Sequence, residues 1–177
     1  MFEALEKNIQ DVVAEQQLKL GYLEETLRLY YPLASLNGLM GSQCSAKEMK
    51  EQLNEFFQSV QGKYGEVGVT EEDGRFCLLL PPQAGEYVHQ HIEEYGFLRE
   101  FIKMMSEHGH SLEEVLSVFH RHSSGVQVEA VDNGEFDYII YFKDGKPDDF
   151  IYCISVEGAH ITYHRFTKED YYSFDWA

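Results

Sequence analysis

Apolar residues recur at intervals of three and four through the start of the chain: Phe2, Leu5, Ile9, Val12, Leu20, Leu23, Leu27 and Tyr30. That spacing lays one stripe along a helix and predicts a single long helix over residues 2–31. Gln16 interrupts the stripe and Gly21 weakens its middle. Pro32 disfavours helical geometry at Tyr31, so the helix is expected to stop there. A loop with Asn37, Gly38 and Gly41 follows. Ser45, with Glu48 three positions on, forms a capping box that opens a second helix through "KEMKEQLNEFFQSV". Gly62 is expected to close it.

Next, "YGEVGVTEEDGRFCLLLPP" predicts a β-hairpin near residues 64–80, turning at Asp73-Gly74. Pro81 and Pro82 end its second strand and suit a helix start. From about Ala84 to Glu107, Val88, Ile92, Tyr95, Leu98, Ile102 and Met105 form a helical stripe that Gly96 can split. "SLEE" is a second capping box, Ser111 with Glu114, opening a short helix whose apolar face is Leu112, Val115, Leu116 and Phe119.

After Gly125 the period changes to two. Four strands are expected, near 126–131, 135–142, 150–156 and 159–165, and their short links imply an antiparallel meander. Thr167, with Asp170 at N3, starts a last short helix carrying Tyr171, Phe174 and, at its end, Trp176. The fold class is therefore α+β: a helical N-terminal half, then a C-terminal four-stranded antiparallel β-meander and a short terminal helix. The chain reads as one domain over 1–177. Residues 1–62 form its helical N-terminal part, and 63–177 hold the hairpin, helices and sheet. The early hairpin is free to join that sheet or to stand apart.

Registers follow from the turns. A two-residue "EG" loop pairs Val156 with Ala159, Ile154 with Ile161 and Tyr152 with Tyr163. For the first hairpin, a two-residue Asn-Gly loop sets Asp137 among Val126 and Val128. A three-residue Asp-Asn-Gly loop instead pairs Ala130 with Phe136 and Val128 with Tyr138, which segregates the faces. The second face then gathers Gln127, Glu129, Asp137, Tyr141, Cys153, Ser155, His160, Thr162 and His164, with carboxylates on the first two strands and histidines on the fourth.

Charge narrows the functional classes. The chain carries 31 acidic against 14 basic residues, a formal charge of −17. No two basic residues are adjacent, so nucleic acid and anionic membrane surfaces are poor partners. Apolar runs such as "YIIYF" are too short to span a bilayer, and "MFEALEKNIQ" lacks the form of a secretory signal. Three separated cysteines make neither a disulfide framework nor a thiolate zinc site. These features point to a cytoplasmic protein, and the charge suits solubility or a protein partner.

Candidate chemistry is sparse. GxxxxGK[ST], GxGxxG and GxSxG are absent, so nucleotide and hydrolase-fold readings have no support. "HGHSLEEVLSVFHRH" holds four of the eight histidines. Its His-x-His pairs point apart on a helix, and its ends lie on the order of 15 Å from each other, too far for one metal. His120 and His122 suit a helix C-terminus, where the macrodipole favours them. His89 and His91 face the same directional objection, and "DGKPDD" fails the EF-hand spacing. No metal and no cofactor are expected.

The best candidate lies on the second sheet face. His160 and His164 share it but sit about 13 Å apart, so either would act alone as a general base or a ligand, with Asp137, Glu129 or Cys153 supplied across the sheet. Two functions compete. One is a non-enzymatic interaction domain that uses its acidic surface or this half-apolar face to hold a protein partner. The other is a small hydrolase or metal-assisted enzyme on His160 or His164, with Asp137 and Glu129. The first helix's near-heptad stripe could also serve a dimer, though packing on its own domain is its simpler use.

"EQQLKLGYLEETLRLYYPLASLNGL", residues 15–39, with "NGEFDYIIYF" and "HITYHRFTKEDY", resembles a small bacterial family known only as a domain of unknown function. The resemblance implies a bacterial, cytoplasmic origin and brings no activity and no site residues.

Overall fold

A computed structural model describes residues 2–174 and 176. The chain divides into two compact units, Met1–Tyr95 and Gly96–Ala177. The first opens with α1, Glu3–Leu20, which buries Leu5, Ile9, Val13 and Ala14. It stops at Gly21, whose φ of 85° leaves helical geometry. The expected single helix over 2–31 is therefore wrong in its second half, because Leu27–Pro32 forms strand β1. Leu27, Leu29 and Tyr31 alternate inward while Arg28, Tyr30 and Pro32 face out. That period of two satisfies a strand better than the coarser three-and-four spacing satisfied a helix. Pro32 is tolerated because β1 is an edge strand.

The loop expected near Gly38 is likewise a helix. α2, Leu33–Met40, starts directly after Pro32 and ends at Gly41 in the left-handed conformation. α3, Ala46–Ser59, carries the Ser45–Glu48 capping box with both reciprocal hydrogen bonds formed. It ends at Val60 rather than Gly62, which lies inside the one-turn helix α4, Gln61–Tyr64. β2, Gly68–Glu72, and β3, Arg75–Leu80, form the expected hairpin over Asp73-Gly74, both at positive φ. β3 also pairs antiparallel with β1, giving a three-stranded sheet in the order β1-β3-β2. α5, Pro82–Gln90, and a 3-10 turn, Ile92–Tyr95, complete the unit. Leu27, Leu29, Phe76, Leu78 and Leu80 pack with Leu5, Leu36, Met49, Leu53 and Phe56 in one buried core.

The second unit starts with α6, Gly96–Ser106; the helix expected over 84–107 is split, but the interruption lies at His91 and the 3-10 turn, and Gly96 opens the segment that follows. α7, Leu112–His122, is capped by Ser111 and Glu114 as expected. β4 (Val126–Ala130), β5 (Tyr138–Phe142), β6 (Phe150–Glu157) and β7 (His160–Thr167) form an antiparallel meander in chain order. α8, Lys168–Ser173, follows, with the Thr167 hydroxyl accepting from the Asp170 amide. Trp176 lies beyond this helix. The α+β class and the meander stand as read from the sequence.

Both hairpin registers differ by two residues from expectation, with the faces of the paired strand residues preserved and that of Phe136, ahead of β5, reversed. Gly158 and Ala159 form the last turn, so Glu157 faces His160, Ile154 faces Tyr163 and Tyr152 faces Arg165. Gly158 supplies the positive φ that a tight turn needs. In the first hairpin Ala130 faces Tyr138 and Val128 faces Ile140, because the connection is longer than three residues. Asn133 organises that loop, its side-chain oxygen accepting from the amides of Glu135 and Phe136. Phe136 consequently leaves the Val128 face and packs against Ile139, Ile151, Cys153 and Tyr171 on the other side.

Candidate functional site

The outer face of the β4–β7 sheet is where sequence placed a polar site. His164 stands directly opposite Cys153, and both belong to this face. Cys153 is 0% exposed, and burial pushes its thiol up to about 12. A thiol so placed is neutral at physiological pH and is no ready nucleophile. The cover comes from the chain itself: Phe136, Tyr171 and Trp176 pack with Ile139, Ile151 and Phe166 over this part of the sheet. His164 remains exposed beside the rings of Phe136 and Phe166, 5.6 and 6.2 Å from their centroids.

The other expected members are dispersed. His160 sits at the hairpin end, opposite Glu157, with its ring 5.7 Å from that of His108. These two line a cavity of about 230 Å³ with His110 and Met104. Asp137 is exposed, and its carboxylate accepts from the Val156 amide at 2.7 Å. Glu129 accepts from the Tyr141 hydroxyl at 2.6 Å. That bond to a carboxylate, with some burial, raises Tyr141 to about 12. No hydrogen bond or ion pair among the described residues joins either carboxylate to His160 or His164.

The histidine-rich helix serves structure. Glu100 on α6 accepts from His122 at 2.6 Å and from Arg121 Nε at 2.9 Å, tying α7 to α6. These partners, His122 first and then Arg121, hold the Glu100 carboxyl below its usual range. His110 lies between Glu107 and Glu114. Among the described residues no group of three His, Cys, Asp or Glu side chains could hold a metal ion.

Two features escaped the sequence. The first is a buried polar cluster. Asp148, 6% exposed, accepts from the Tyr152 hydroxyl (2.5 Å), Arg165 (3.3 Å) and the Phe150 amide (3.2 Å). Arg165 Nε also donates to Tyr152, and its guanidinium lies 3.8 Å over the Phe150 ring. The charge is paired, hydrogen-bonded and sealed, which marks a structural lock.

The second is the open face of the β1-β3-β2 sheet. Its rows run Pro32–Arg75–Glu72, Tyr30–Cys77–Thr70 and Arg28–Leu79–Gly68. Tyr30 is 55% exposed, and the guanidinium of Arg75 lies 5.3 Å from its ring centroid. Cys77, Leu79 and Thr70 floor a groove of about 940 Å³, with Tyr30, Arg28 and Arg75 projecting beside them. Neither Arg28 nor Arg75 forms an ion pair with a described residue. Alternation in "LRLYY" was the available signal, masked by the longer helical stripe into which it was read.

The family described as "Domain of unknown function, E. rectale Gene description (DUF3877)" matches residues 2–174, and the chain belongs to it. No curated protein and no solved structure matches the chain. No helix among the described residues is long and apolar enough to cross a membrane.

Proposed function

We propose that this family member is a non-enzymatic protein-interaction domain that docks a partner on the open face of its three-stranded sheet. The exposure of Tyr30 between two arginines outside any ion pair carries this reading. Tyrosine and arginine supply large contact area and directed hydrogen bonds, and they dominate binding energy where interfaces have been dissected. The opposite side of the same sheet is core, so the face is rigidly presented. The outer face of the β4–β7 sheet offers less, because the chain's own C-terminal segment covers its apolar part. The same reading places the protein in a bacterial cytoplasm, which the three free cysteines suit.

Site-specific photo-cross-linking tests it. A benzophenone amino acid replaces Tyr30 in the full chain, and a second preparation carries it at Tyr172, also exposed, in α8. A partner captured from position 30 and not from 172 should bind the wild-type chain when purified. It should lose at least tenfold in affinity for Tyr30→Ala. Equal capture at both positions, or unchanged affinity for Tyr30→Ala, refutes the reading.

A further inference from the structure

We infer that the groove's occupant is an extended partner segment carrying a carboxylate and a cationic side chain about four residues apart, with an apolar side chain between them. This rests on the docking reading above and adds the chemistry of the ligand.

Polarity along the groove supports it. At one end Arg28 stands beside Leu79 and Gly68 in its row, with no carboxylate opposite. At the other end Glu72 lies opposite Arg75, and exposed Asp73 forms the turn. Glu71 also lines the groove, but its carboxylate is committed to the Gly74 amide at 2.8 Å. Arg75 faces both Glu72 and the ring of Tyr30, so its charge is partly answered within the face. The groove therefore runs from a lone guanidinium, Arg28, to an end where the two carboxylates of Glu72 and Asp73 outnumber the single guanidinium of Arg75. A guanidinium fork takes a carboxylate in bidentate geometry, which is why Arg28 selects an acid. Between the two ends, Tyr30, Cys77 and Leu79 present apolar surface to a single side chain.

Spacing follows from the strand. Arg28 and Pro32 are four residues apart on β1, about 13 Å at the usual rise. An extended ligand covers that length in about four residues. A uniformly acidic ligand is disfavoured by the chain's own charge of −17, and a uniformly basic one by Arg28 and Arg75. A segment with both signs avoids both penalties.

Display selection of random linear peptides against the full chain provides the test. Enriched peptides should carry Asp or Glu and Lys or Arg three to five positions apart, bracketing an apolar residue. A selected peptide, followed by fluorescence anisotropy, should bind Arg28→Glu at least tenfold more weakly, with Arg28→Gln in between. Replacing the peptide's acid by lysine should restore binding to Arg28→Glu, a reversal that a misfolded variant cannot show. Enrichment without such a charge pair, no enrichment, or no rescue overturns this inference. Cross-linking at position 30 judges the docking reading separately, since a partner captured there with other contact chemistry leaves that reading standing.

Discussion

Asp148 is a polar residue whose removal should cost the second unit as much as the loss of a core side chain. Asp148→Ala deletes three hydrogen-bond acceptances at once, from Tyr152, Arg165 and the Phe150 amide. It also takes the Asp148 charge away from a guanidinium whose side chain is 3% exposed. Breaking a buried pair from one side costs about 3–5 kcal/mol, because the surviving charge stays desolvated. Arg165 keeps its bond to Tyr152 and its contact with the Phe150 ring, which places the expected loss toward the lower part of that range. Trp176 is the chain's only tryptophan, and it packs on Phe136 and Phe166, so its fluorescence reports this unit. In urea, with a slope of about 1–1.5 kcal/mol per molar for so small a unit, the midpoint should fall by about 2–4 M. Adding Arg165→Met removes the desolvated guanidinium as well and should return at least half of the loss. A midpoint shift under about 0.5 M for Asp148→Ala refutes the lock, and so does a double variant that is simply additive.

Cys153 should resist alkylation in the native chain at pH 8 while the half-buried thiols of Cys44 and Cys77 react first, and should become reactive only on denaturation; prompt labelling overturns its burial. Its raised folded value means the associated stability is complete below the unfolded thiol's range near 9 and declines as pH climbs toward 12. Glu129→Gln should bring Tyr141 down from about 12 toward ordinary tyrosine, visible as one phenol moving in an ultraviolet titration. Ser111→Ala should cost about 1 kcal/mol in the same urea assay through loss of the α7 cap. Glu100→Gln should cost less than about 1 kcal/mol, because its partners His122 and Arg121 are solvent-accessible; the ion-pair contribution is lost as pH falls below the carboxylate range.

What sequence could show divides along a physical line. Local chemistry was legible. Both capping boxes, the Asp73-Gly74 turn and the Thr167 cap are written in a few adjacent residues, and each is formed. The faces of the meander were legible too, because a strand's side chains alternate whatever its partner does. Register was not. It depends on how many residues a turn absorbs, and both hairpins slipped by an even number, which changes partners and spares the faces of the paired residues, while Phe136, in the longer turn, changed side.

The larger error lay at Leu27–Tyr31, and it hid the candidate site. Apolar residues at 20, 23, 27 and 30 satisfy a helical stripe, and those at 27, 29 and 31 satisfy a strand; five residues cannot decide between them. The decision comes from β3, whose Phe76, Leu78 and Leu80 need a neighbour of matching alternation, more than forty positions away. Once β1 pairs, Arg28 and Tyr30 must project from the sheet on the side of Cys77 and Leu79, and a groove exists where the helical reading showed only two surface residues. The histidine face is partly covered for the complementary reason. Its alternation was right, but a segment after the last strand folds back through Tyr171 and Trp176 and covers what alternation alone leaves open. Alternation tells which side of a sheet a residue takes; whether that side meets core, solvent or a partner is decided by segments distant in the chain, and those are what separate the covered face around Cys153 from the open one around Tyr30.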